Sequence, residues 1–126
     1  MRRVIACCVS YSLLISTVAV AAPAQQRNLS RFDGLWSVLV ITDSGTCDRA
    51  YRYGVRIMGG QIRYAGEAGI QFSGTVAANG NVTVTVQSGD RTASGTGRLS
   101  TDDGGGTWAG TSPGNRCSGR WEAERR

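Results

Sequence analysis

Nine carboxylates, 14 basic side chains, four cysteines and three tryptophans are what this 126-residue chain has for chemistry; it has no histidine, and every basic residue is arginine. Without histidine there is no Ser-His or Cys-His pair to activate a nucleophile. The acids offer two close pairs: Asp43 with Asp48, and Asp102-Asp103 within Thr101-Asp-Asp-Gly-Gly-Gly106. Adjacent acids in a glycine-rich stretch read as solvated turn formers, and the ligand spacing of a calcium loop is absent. The expectation is therefore no enzyme, no catalytic residue, no metal site and no cofactor. Haem would have to rely on tyrosine, methionine or a free thiol.

The aromatic residues point elsewhere. Trp36, Trp108 and Trp121, with Tyr53 and Tyr64, are the side chains here that could line a ligand site. Indole faces suit a flat apolar or sugar-like molecule. They equally suit plain packing against glycines, so the question becomes how these residues are positioned.

The N-terminus reads as a targeting segment. Arg2-Arg3 precede an apolar run from Val4 to Ala22, and Ala22-Pro23-Ala24 offers an A-x-A cleavage site. That is a secretory signal over 1–24; the rival is an uncleaved transmembrane anchor. Cys7 and Cys8 would leave with the signal. The remaining 102 residues hold 12 arginines against 9 acids, a charge of +3 too mild and too scattered for a nucleic-acid partner. They also hold two cysteines, Cys47 and Cys117, and an even pair in an exported domain is read as a disulfide.

Residues 25–33 read as a leader and 34–126 as one domain. All 18 glycines lie after the signal, and apolar residues alternate with period two between turn signals. Eight strands are predicted, at about 34–42, 50–58, 61–65, 70–77, 81–88, 91–99, 106–111 and 117–124. Gly59-Gly60 as a two-residue loop would pair Ile57 with Ile62 and Val55 with Tyr64. Gly89-Asp90 would pair Val86 with Ala93, Val84 with Gly95 and Val82 with Gly97. Asn79-Gly80 works only inside a three-residue loop, Ala78 to Gly80, which pairs Val76 with Val82 and keeps every apolar residue on one face.

Eight strands with short connections predict an all-β, antiparallel up-and-down barrel, with a two-sheet β-sandwich as the alternative. In a closed ring the end of the first strand meets the start of the last, where Cys47 and Cys117 fall. Outward positions such as Arg52, Arg56, Gln71, Thr83, Arg120 and Glu122 exclude a membrane-spanning barrel. The first strand breaks the alternation, because Leu35, Leu39 and Ile41 face out. The leader residues Leu29 and Phe32, a protein partner or a second copy would have to cover them. Arg52, Arg56 and Arg63 form a basic stripe that is either a solvated face or a contact for anionic envelope polymer or lipid headgroups.

Phe32-Asp33-Gly34-Leu35-Trp36, with eight meandering strands, resembles the lipocalin and avidin style of barrel, which implies a ligand-binding cup. The layout of signal, short leader, Gly-x-Trp, barrel and one disulfide is also similar to bacterial secreted-metalloprotease inhibitors, which would make the leader from Gln25 to Ser30 the working segment. As a whole the chain, down to Cys117-Ser-Gly-Arg-Trp-Glu-Ala-Glu-Arg-Arg126, resembles small exported bacterial β-barrel proteins of uncharacterised function. Two expectations follow. One is a periplasmic or secreted non-enzymatic binding protein, with an unknown small ligand or envelope component seated among Trp36, Trp108, Trp121, Tyr53 and Tyr64. The other is a protease-inhibitor-like interaction protein.

Overall fold

Glycine turns set the register of this chain. The computed structural model describes residues 14–19, 29–66 and 69–126. The signal segment lies outside the described residues except for 14–19, which adopt no helix or strand, and 25–28 of the leader lie outside them altogether. Eight strands follow a short 3-10 turn at Ser30–Phe32: β1 (Gly34–Ser44), β2 (Ala50–Met58), β3 (Gln61–Tyr64), β4 (Gln71–Val76), β5 (Asn81–Ser88), β6 (Arg91–Leu99), β7 (Asp103–Ser112) and β8 (Asn115–Arg125). Each pairs antiparallel with the next, and β1 pairs with β8, which closes the barrel and excludes the sandwich. No helix among the described residues is long and apolar enough to cross a membrane.

The hairpin registers follow from the turns. Ile57 faces Ile62 and Val55 faces Tyr64 across β2–β3. Val86, Val84 and Val82 face Ala93, Gly95 and Gly97 across β5–β6. The β4–β5 hairpin pairs Val76 with Val82, and Gly80 takes the positive φ (93°) that its three-residue loop requires. Two boundaries differ from expectation. Strand β7 begins at Asp103 and not at Gly106, because Leu99 pairs with Gly104 and the turn needs only Ser100 to Asp102. Strand β8 begins at Asn115, because Pro113-Gly114 makes a two-residue turn that pairs Ser112 with Asn115.

One end of the ring is sealed. The turn at Ser30–Phe32 leads into β1 there and buries Phe32 completely. Arg125, near the end of β8, pins it: Nη1 donates to Asp33 O (2.6 Å), Nη2 to Arg31 O (2.9 Å) and Nε to Thr101 O (2.9 Å). Its guanidinium also lies 4.7 Å from the centre of the Trp36 ring, a favourable cation–π arrangement. Leu29 reaches the β2–β3 turn at Gly60.

Leu29 and Phe32 therefore serve the closed end and do not cover the outer face of β1. There Leu39 stands between Arg52 and Glu122, and Ile41 between Ala50 and Arg120. Both are half-buried, and Leu35 remains 39% exposed. Of the basic stripe, Arg52 donates to Ser37 Oγ (2.8 Å) and Arg63 to Gln61 Oε1 (3.0 Å).

Candidate ligand-binding cup

Alternate side chains of every strand point into the bore, and near the closed end they fill it. Phe32, Trp36 and Val76 have almost no solvent contact, and Ile57, Ile62 and Leu99 join them as a floor. Toward the other end the filling stops. A cavity of about 540 Å³ opens there and runs to the mouth, within the size range of small-molecule sites.

The emptiness is written into β6, β7 and β8. Their inward positions include Ala93, Gly95, Gly97, Gly106, Gly110 and Gly119. Two indoles lie along this bare wall. Trp121 crosses Gly106 and the Gly97 region, and its Nε1 donates to Thr96 O (3.1 Å), two strands away. Trp108 crosses Gly119, and its Nε1 donates to Ile41 O (3.0 Å) on β1, just before the irregularity between Thr42 and Ser44. A Cβ on Gly97 would run into Trp121 and the Gly105 carbonyl, whereas one on Gly106 or Gly119 would run into the backbone of the neighbouring strand, at Thr96 O and Ile41 O.

Trp36 Nε1 likewise donates to Phe32 O (2.9 Å). All three indole N–H groups are thus satisfied by backbone. Among the described residues no buried side-chain nitrogen or oxygen lacks a partner. The deep wall consequently offers ring faces and aliphatic groups, including Val38, Val55 and Val84, and no spare indole donor.

Aromatic side chains also close the side where the sheet is weakest. The β3–β4 ladder pairs only Gln61 with Thr75 and Ile62 with Gly74. Above it Tyr64 stacks on Phe72 (centroids 5.4 Å, 17°), and Tyr53 meets both edge-on at 6.0 and 5.5 Å. Tyr51 continues the row toward the rim, 4.6 Å from Tyr53. Burial raises the pKa of the Tyr53 hydroxyl, with Tyr51, Tyr64 and Asp48 adding to the rise and Arg91 opposing it.

At the mouth the lining becomes polar, with Thr46, Asp48, Ser88, Arg91, Ser112 and Asn115. Asp48 stands on the β1–β2 connection and Arg91 opens β6, half the ring away. The disulfide Cys47–Cys117 (Cα–Cα 6.1 Å) fastens that connection to the start of β8, and both cysteines line the cavity.

Of the aromatic residues expected at a site, Trp36, Trp108, Trp121 and Tyr53 line the cavity; Trp36 does so as part of its floor, only 1% exposed. Tyr64 is not in the lining and props Phe72 instead. Sequence reasoning placed neither Arg91 nor Asp48 at the ligand site, taking Asp48 only as the partner of Asp43. The parity of Ala93, Gly95 and Gly97 already assigns Arg91 to the inner set, whereas Asp48 sits in a loop where alternation carries no information. Asp43 of the first acid pair is bound to Arg120 (2.7 Å) and Asp102 lies 3.6 Å from Arg125 Nε. No group of three or more His, Cys, Asp or Glu side chains among the described residues could hold a metal ion.

Fold and site together define a small closed β-barrel with a cup open at one end. No protein-family model matches the chain, and no curated protein and no solved structure matches it.

Proposed function

We propose that this chain is an exported, non-enzymatic binding protein whose cup takes a small ligand with an apolar body. The observation that carries this reading is the one-ended cavity of about 540 Å³, whose wall tryptophans have already spent their N–H groups on backbone carbonyls. A sugar buried there would lose hydrogen bonds to water and regain few, at roughly 1–3 kcal/mol for each unmatched polar group. A hydrocarbon or aromatic body loses nothing. Export is supported by Arg2-Arg3, the apolar run, the Ala22-Pro23-Ala24 site and the disulfide.

Titration of the purified barrel with the neutral fluorescent probe N-phenyl-1-naphthylamine tests the cup. One saturable site is expected, with quenching of tryptophan emission. Ala93→Phe should place a ring in the void without touching the floor, and should abolish binding while circular dichroism stays unchanged. Absence of saturable binding, or full binding by a folded Ala93→Phe variant, would refute the cup. Deleting residues 25–28 should leave probe binding intact; an inhibitor working through its leader would instead lose its activity on a metalloprotease.

A further inference from the structure

Resting on that reading of the cup, we infer that the ligand is an amphiphile whose acidic head, a carboxylate, is held at the mouth by Arg91. Arg91 shares the inward parity of Ala93 and Gly95 and lines the cavity. Among the described residues its side chain makes no hydrogen bond and no ion pair. A guanidinium carries five N–H donors in a planar fork that matches a carboxylate's two oxygens. Here the fork stands at the rim of an apolar well, exposed and without a side-chain partner among the described residues. The cavity lining also holds hydroxyl and amide groups that could complete a carboxylate's shell, from Ser88, Tyr53 and Asn115.

The rival charge is Asp48, which also lines the mouth and is also without an ion pair among the described residues. Tyr53 feels both groups, Asp48 and Arg91 acting on its hydroxyl in opposite senses, so both fields reach into the well. The rest of the rim breaks the tie. Among the described residues of the connections and strand ends there, Arg49 and Arg116 accompany Arg91, against Asp48 and Asp90, while Asp43 is paired with Arg120. A negative head is therefore favoured over a positive one. The cup's depth suits a medium-length tail. Four residues separate Val38 from Thr42, and at about 3.3 Å each on strands tilted by about 40° they span about 10 Å of axis.

Displacement of N-phenyl-1-naphthylamine by decanoate, decanol and decyltrimethylammonium reads the head separately from the tail. Decanoate should displace at the lowest concentration. Arg91→Gln should raise its apparent Kd roughly five- to tenfold and leave decanol unchanged, as expected for one partly solvated charge-assisted contact. Asp48→Asn should tighten decanoate by a few-fold, and this second variant keeps the test alive if the first fails to fold. Equal displacement by decanoate and decanol, unaltered by either substitution, overturns the acidic head and leaves the cup standing. Tightest binding by decyltrimethylammonium, lost in Asp48→Asn, overturns it in favour of a cation. Failure of the probe itself to bind overturns both readings.

Discussion

At Tyr53 the dryness of the cup and the charges of its mouth act on one oxygen. Burial is the largest cause of its raised pKa, so the hydroxyl stays protonated, and able to donate, beyond the pH at which an unfolded tyrosine ionises. The sign for stability follows. Between the unfolded value near 10 and the higher folded value, the folded state holds a proton that the unfolded state has lost, and stability falls as pH rises. Below pH 10 this group contributes no slope. Urea denaturation at pH 8 through 11 should show stability flat on this account up to about pH 10 and decreasing above it. Tyr53→Phe should remove part of that decrease. An identical alkaline slope in the variant would assign it to other groups.

Among the strands, glycine has two opposed roles that a single substitution separates. A Cβ on Gly54 of β2 would meet nothing within 4 Å. There alanine restricts the unfolded chain at no native cost, and Gly54→Ala should be neutral or stabilising by up to about 1 kcal/mol. On β6 a Cβ at Gly97 would collide with Trp121 and with backbone of β7. Gly97→Ala should cost about 1–3 kcal/mol, in the range of core overpacking, and should shift tryptophan emission as Trp121 leaves the wall. Equal effects at the two positions in chemical denaturation would contradict this account of the bare wall. The same contrast explains what could be read in advance. The β2–β3, β4–β5 and β5–β6 registers were legible because valines and isoleucines mark one face and each turn admits few loop lengths. The start of β7 was not, since Gly104, Gly105 and Gly106 have no side chain with which to alternate. Nor was the cavity. The inward residue types were known, but whether they fill the bore depends on which way two indoles fall, and that is decided by carbonyls two strands distant.

Closure belongs to the whole molecule, and two separate devices supply it. The β1–β8 ladder runs from Trp36 opposite Arg125 to Ser44 opposite Ser118, and the disulfide joins residues 70 apart at the mouth end of the same seam. Because the ladder closes the ring without the bridge, Cys47→Ser with Cys117→Ser should still fold into a barrel. The cost should fall on the denatured state, which the bridge no longer restricts, at about 4 kcal/mol in the chain-entropy account. The urea m-value should rise as that state expands and exposes more surface. Within the native state the effect should be one-sided. Gly45 packs against Cys117 and the Arg116 carbonyl, so amide exchange should quicken at residues 45–49 and at the start of β8. Phe32, Trp36 and the Arg125 clamp lie at the far end and should keep their protection. Faster exchange at the closed end, or loss of barrel structure by circular dichroism, would mean that the seam depends on the bridge and that the ladder alone does not hold the ring shut.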